Sequence, residues 1–104
     1  MEAAKQKAQA MIDDNAVMVF SKSYCPYCRN SKRILDSYGA KYEHYELNEE
    51  DDGDIIQNAL HQLTGQRTVP NIFINKKHIG GNSDLEAINR KTLENLLKEV
   101  GATS

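Results

Sequence analysis

Apolar residues recur at Ala4, Ala8, Met11 and Ile12, the spacing of one helical face, so a first helix is expected from about Ala3 to Asp14, with Asn15 breaking it. The next five residues, Ala16-Val17-Met18-Val19-Phe20, are β-rich and apolar on both faces, as in a central strand covered by helices on two sides. After Tyr24-Cys25, Pro26 suits a first helical position because it has no N–H to lose there. Cys28, Ser31, Leu35 and Tyr38 then fall on one stripe, and Gly39 closes that helix.

The segment Lys41 to Leu47 is rich in aromatics and follows a strand and a helix. A second strand, parallel to the first through a right-handed crossover, is the economical reading. Asn48 to Gly53 reads as a polar, acidic loop, and Ile56, Ala59, Leu60 and Leu63 make a further helical stripe ending at Gly65. Val69 to Ile74 and Lys77 to Gly80 read as strands joined at Asn75-Lys76, where a two-residue hairpin prefers glycine second, so Lys76 predicts strain or a different turn type. Ser83-Asp84-Leu85-Glu86 matches a capping box with Ser83 as cap and Glu86 reaching back. Leu93, Leu96, Leu97 and Val100 place a last helix from about Thr92, with Gly101 just past its end. The expected class is α/β: a mixed four-stranded sheet flanked by about five helices, in the order α-β-α-β-α-β-β-α-α.

With 104 residues and 39% apolar content, residues 1–104 are expected to form a single domain. The net charge is −2 and the basic residues are scattered among acids, which argues against nucleic-acid binding through phosphate neutralisation. The longest apolar run is five residues where a membrane-spanning helix needs about 20, so no membrane partner is expected. No signal- or transit-peptide pattern opens the chain, and a cytoplasmic location is the expectation.

The two cysteines, Cys25 and Cys28, could staple only a four-residue segment. His44, His61 and His78 lie 16, 33 and 50 residues after Cys28 with no second paired motif, so zinc explains the pair poorly and no metal site is expected. Ser23-Tyr24-Cys25-Pro26-Tyr27-Cys28 instead sets a C-x-x-C pair where a buried strand meets a helix N-terminus. Cys25 would cap the helix, its sulfur facing the free N–H groups of Tyr27 and Cys28 at the positive end of the helix dipole, with Lys22 and Arg29 adding positive charge. Such settings bring thiols from about 8.5 into a range of roughly 3.5 to 7.5. Cys25 is therefore the expected nucleophile, and Cys28, one turn further in, the resolving thiol.

Cys25-Pro26-Tyr27-Cys28, then Thr68-Val69-Pro70, then Gly80-Gly81 followed by Asp84, resemble in order and spacing the dithiol glutaredoxins, over Val17 to about Leu97. The resemblance implies a thioredoxin fold, glutathione as electron donor and co-substrate, and reduction of protein–glutathione mixed disulfides. It implies no tightly bound cofactor, NADPH entering only indirectly through glutathione reductase. It further implies that Lys22 meets the glycine carboxylate of glutathione, with Gln57, off the apolar stripe of its helix, and Arg67 adding contacts. Tyr27 would flank the glutathione sulfur. In the family Val69-Pro70 is a cis peptide that leaves the Val69 backbone free to pair with the cysteinyl part of glutathione, with Thr68 as a neighbour. Gly81 would let the backbone approach closely, and Ser83-Asp84 would take the γ-glutamyl carboxylate, with Asp84 pairing its ammonium group.

The mechanism implied is attack by the Cys25 thiolate on the glutathione-side sulfur of a mixed disulfide. Glutathione then frees the enzyme. Protein disulfides would use Cys28 to form a Cys25–Cys28 bond that two glutathiones reduce. Expected partners are glutathione and glutathionylated or disulfide-containing proteins, met by a monomer. A thioredoxin-like reductant is one alternative, opposed by Pro-Tyr between the cysteines, the absence of tryptophan, and Lys22, Gln57 and Asp84. A glutathione-ligated iron–sulfur cluster carrier is another, which Pro26 disfavours by the family pattern. Asn82 stands where many relatives carry a third cysteine, which removes regulation or dimerisation through that thiol.

Overall fold

Val17–Ser21 forms strand β1, buried at every position. Alternation along a strand sends Val17 and Val19 to one face and Met18 and Phe20 to the other. A strand apolar on both sides needs helices on both sides, and the chain supplies them. The computed structural model describes residues 2–103. Among these, the other elements in chain order are α1 (Glu2–Asp14), α2 (Pro26–Ser37), β2 (Glu43–Glu46), α3 (Gly53–Thr64), β3 (Asn71–Ile74), β4 (Lys77–Gly80), α4 (Asn82–Glu86) and α5 (Arg90–Glu99), with β1 between α1 and α2. The expected order is thus the observed one.

The sheet runs β2-β1-β3-β4, with β2 parallel to β1 and β3 antiparallel to it. Helices α1 and α3 cover one face, where Ala8, Ile12, Ile56, Ala59 and Leu60 pack on Met18, Phe20 and Phe73. The fully buried Ala8 and Ala59 lack bulk, which lets these two helices approach closely. On the other face Leu35 of α2, Leu85 of α4 and Leu93 and Leu97 of α5 pack on Val17, Val19, Ile72 and Ile74. Each fully buried large apolar side chain contributes roughly 1.5–3 kcal/mol, so β1 is held from two directions at once.

Three local expectations change and one, at the hairpin turn, holds. Strand β3 starts at Asn71 and not Val69, because Pro70 has no N–H for the ladder and its peptide with Val69 is cis, as the family resemblance implied. Leu63 is 40% exposed: the α3 stripe stops at Leu60, whose carbonyl accepts the Thr64 hydroxyl at 2.8 Å. The hairpin turn has both Asn75 (φ 54°) and Lys76 (φ 67°) in the left-handed region, so Lys76 does sit in a conformation that glycine would adopt with less strain. Helix α4 is capped by Gly81, whose N–H donates to Asp84 Oδ2 at 2.8 Å; Ser83 lies inside the first turn and Glu86 turns toward α2. The cap lies two residues nearer the N-terminus than expected, and only its Asp84 half is made, because Gly81 is still extended while Asn82 already begins the helix.

The glycine requirement in this corner falls on Gly80. Its φ is +120°, and a Cβ there would stand 2.3 Å from Asp84 Oδ2, whereas at Gly81 a Cβ would meet Pro70 O at an ordinary 3.7 Å.

Candidate functional site

The site is built at the end of β1. Cys25 is the N-cap of α2, with extended φ/ψ of −86° and 117°. Its N–H donates to Lys22 O at 3.0 Å, and its Sγ accepts the Cys28 N–H at 3.2 Å. Of the two amides expected to face this sulfur, Cys28 N–H makes the bond. Pro26 fills the first helical position, where no amide is needed. The approach loop is pinned from outside: Asn48 Oδ1 accepts Ser23 N–H at 3.0 Å, and Asn48 Nδ2 donates to Ser23 Oγ at 2.7 Å.

Cys25 is half-buried and Cys28 has no exposed surface. Burial pushes the Cys28 thiol up to about 12, with the Cys25 sulfur adding to the rise and Lys32 opposing it. Such a thiol stays protonated at neutral pH. The two cysteines thus share a motif but not an environment.

Facing Cys25 is the loop before β3. Val69 O lies 4.0 Å from Cys25 Sγ. Gln66 braces this loop, its Nε2 donating to both Thr68 O and Pro70 O at 3.0 Å while its Oε1 meets His78 Nε2 at 3.1 Å. His78 Nε2 also lies 2.9 Å from Asn71 Oδ1, and burial holds this imidazole below its ordinary pKa.

A cavity of about 430 Å³ opens beside the thiol, lined by Tyr27, Thr68, Val69, Pro70, Gly81, Ser83 and Asp84, with Gln66, Asn82 and Glu86 completing the wall. That volume falls in the range of roughly 300–1,000 Å³ typical of small-molecule sites. Seven of the expected site residues therefore meet around one space. Lys22, Gln57 and Arg67 do not line it. Gln57 instead donates its Nε2 to Arg67 O at 2.8 Å, which ties α3 to the loop. Tyr24 and Tyr27 flank the cysteines at 63% and 67% exposure, an unusual display of aromatic surface.

A polar network fixes the far wall to the thiol-bearing helix. Asn82 Oδ1 accepts from Ser31 Oγ at 2.8 Å and from Asn30 Nδ2 at 3.0 Å, and Asn82 Nδ2 donates to Glu86 Oε1 at 3.2 Å. Ser31 and Asn82 are both buried, so the bond between them is one that water does not replace.

The glutaredoxin family model matches residues 17–79. A glutaredoxin from Ricinus communis is 52% identical over 100 residues, covering 95% of this chain and 98% of that protein. The chain belongs to the glutaredoxin family. Among curated glutaredoxins, glutaredoxin-C2 of Arabidopsis thaliana is 47% identical over 95% of this chain and 90% of its own length. Among solved glutaredoxins, a buckwheat glutaredoxin–glutathione complex superposes with a TM-score of 0.94 at 49% identity, covering 99% of this chain and 94% of that one. The sheet order, the five helices among the described residues and this superposition together fix the thioredoxin-type α/β class.

Within this glutaredoxin the braces without a signal of their own in the sequence are Gln66, Asn48 and Asn30, while Glu86, expected to reach back to Ser83, instead accepts from Asn30 and Asn82. Gln66 follows Gly65 in a polar stretch, with nothing in its neighbours to separate it from a solvated side chain. Asn30 and Glu86 lie 56 positions apart, and only the packing of α4 on α2 joins them. The hydrogen bonds of Asn82, which stands where many relatives carry a third cysteine, depend on that same packing.

Proposed function

We propose that this glutaredoxin carries out glutathione-dependent thiol–disulfide exchange on Cys25, with Cys28 as the resolving thiol. The observation that carries the reading is the placement of Cys25 Sγ at the N-cap of α2, bonded to the Cys28 amide and facing Val69 O at the mouth of the cavity. Of the two sulfurs it is the one a substrate can reach, Cys25 being half-buried and Cys28 fully buried, and exchange requires access to the attacking sulfur.

In the monothiol route Cys25 attacks the glutathione-side sulfur of a protein–glutathione disulfide. The electron pair of the broken bond leaves on the protein sulfur, which takes up a proton, and Cys25 is left bound to glutathione. A second glutathione attacks that sulfur, producing glutathione disulfide and free Cys25. In the dithiol route Cys25 opens a protein disulfide and Cys28 attacks Cys25, which releases the client and forms Cys25–Cys28.

Glutathione would lie along the cavity. The Val69 N–H and C=O would pair with its cysteinyl unit in the manner of strand addition, with Thr68 and Pro70 forming the floor and Tyr27 packing beside the sulfur. Gly81 and Ser83 would receive the γ-glutamyl carboxylate, and Asp84 the ammonium group. Lys22, Gln57 and Arg67 would take the glycine end outside the cavity mouth. The partners are then glutathione and glutathionylated or disulfide-bearing proteins, met by a monomer.

The test is turnover of a small glutathione mixed disulfide, coupled to glutathione reductase and NADPH. Cys25→Ser is expected to abolish turnover and Cys28→Ser to retain it. Activity surviving in Cys25→Ser overturns the assignment.

A further inference from the structure

Along the loop from Arg67 to Pro70, the backbone carbonyls on either side of Val69 are held by side-chain amides. Arg67 O accepts from Gln57 Nε2 at 2.8 Å, and Thr68 O and Pro70 O each accept from Gln66 Nε2 at 3.0 Å. Val69 O is held by neither glutamine and lies 4.0 Å from Cys25 Sγ. Gln66 therefore grips the loop on both sides of Val69 and leaves the Val69 carbonyl turned to the thiol.

Gln66 is itself fixed at both ends. Gly65 closes α3 with φ 80°, after which Gln66 N–H donates to Thr64 Oγ1 at 3.0 Å, and that hydroxyl donates to Leu60 O at 2.8 Å. At the tip of the side chain the two carbonyls require the NH2 group, because an amide oxygen has nothing to donate to them. The Gln66 Oε1 is thereby turned the other way, where it meets His78 Nε2 at 3.1 Å. An oxygen facing that nitrogen requires it to carry the proton, so His78 is the donor that orients Gln66. The His78 ring is seated on Phe73, with centroids 5.2 Å apart, and Asn71 Oδ1 lies 2.9 Å from the same Nε2. The chain of contacts thus runs from the sheet through His78 and Gln66 to the loop that faces Cys25.

We propose that Gln66, oriented by His78, is a positioning residue for glutathione recognition: it presets the loop so that the Val69 N–H and C=O are in place before the cysteinyl unit arrives. The inference rests on the function proposed above. A loop without this grip would be ordered only as substrate binds, and the entropy of that ordering would be taken from affinity. The effect falls on the encounter with glutathione and spares the Cys25 sulfur, whose hydrogen bond comes from the Cys28 N–H. His78 is no part of the cavity wall, so it acts on glutathione through Gln66.

The experiment is steady-state turnover of the mixed disulfide of cysteine and glutathione at saturating glutathione, coupled to glutathione reductase and NADPH, beside the rate of Cys25 alkylation by iodoacetamide. Gln66→Met keeps the length of the side chain and removes both donors. Its KM for the mixed disulfide is expected to rise about tenfold, with kcat and alkylation within about twofold of the parent. Gln66→Glu has the same shape but only accepts at neutral pH, and its KM should rise at least as much. His78→Phe keeps a ring on Phe73 without the N–H; it should raise KM about threefold in the parent and less than about 1.5-fold in Gln66→Met, since residues that act in series are not additive. Circular dichroism checks the fold of each variant. An unchanged KM in both Gln66 variants, kcat and alkylation falling in step with the rise in KM, or an undiminished effect of His78→Phe in the Gln66→Met background overturns the proposal. Failure of the parent protein to turn over the mixed disulfide would instead overturn the function proposed above.

Discussion

Cys25 and Cys28 are the same chemical group one helical turn apart, yet nearly everything around them differs. Cys25 sits half-buried at the helix cap, with its sulfur held by the Cys28 N–H and facing Val69 O. Cys28 is fully buried and its thiol is pushed up to about 12, principally by desolvation. Around Cys25 the contacts come from the main chain; further along the same helix Lys32 reaches Glu46, which also accepts from Ser21, so side chains of three different elements meet there. A helix end thus generates a reactive and a reserve thiol from one dipeptide spacing. The main chain sets the first, and tertiary burial sets the second.

The sharpest way to break this contrast is alkylation. At neutral pH iodoacetamide should modify Cys25 alone, with Cys28 reacting orders of magnitude more slowly until the chain is unfolded, because the thiolate is the reactive form. Mass spectrometry of the singly modified protein checks this, and comparable labelling of both cysteines contradicts the burial argument.

The Cys28 side is weakened next by Glu46→Gln. Burial pushes the Glu46 carboxyl up, but hydrogen bonds from Lys32, Ser21 and His44 outweigh it and hold the group below its ordinary value. Its stabilisation is therefore present above the ordinary carboxylate range and is lost as pH falls through the lowered folded value. Glu46→Gln should cost about 3 kcal/mol at pH 7, since removing one partner of a buried pair strands the other. The gap from the parent should begin to narrow below about pH 4 and close only as the pH falls through the lowered folded value. Urea unfolding at both pH values measures it.

Gly80→Ala strikes the Cys25 side. A Cβ at φ +120° and 2.3 Å from Asp84 Oδ2 forces that carboxylate to move. About 2 kcal/mol of stability should go, and the KM for glutathione should rise more than kcat falls. Lys76→Gly, at the hairpin turn and remote from both thiols, relieves a left-handed lysine. It should add only about 0.5–1 kcal/mol and leave alkylation and turnover unchanged, which makes it the control.

What could be read along the chain was whatever depends on nearest neighbours. The run Ala16 to Phe20 could only be a strand covered on both faces, and Pro26 after Cys25 could only open a helix. The order of all nine described elements followed from such local signals. Errors came where an element's end is chosen by contacts across the sheet. Ser83 and Glu86 matched a capping box in spacing, but the cap is Gly81, which has no side chain to give, and only the return bond from its N–H to Asp84 forms, because α4 begins as soon as the chain leaves β4. The polar, acidic loop also carries structure, since Asp52 accepts from Lys7 and from the Tyr45 hydroxyl at 2.6 Å, joining α1 to the end of β2.

Sequence by itself determined the α/β class, the central strand and the position of a thiol pair at a strand-to-helix junction, because periodicity, proline and helix ends act over a few residues. Tertiary structure decided which residues brace the site and what the second thiol can do. Gln66 on Thr68 and Pro70, Asn82 on Ser31, and Lys32 on Glu46 each join positions set by how the helices lie on the sheet. The ionisation of Cys28 depends on burial, a property of the packed molecule and of no single stretch of chain.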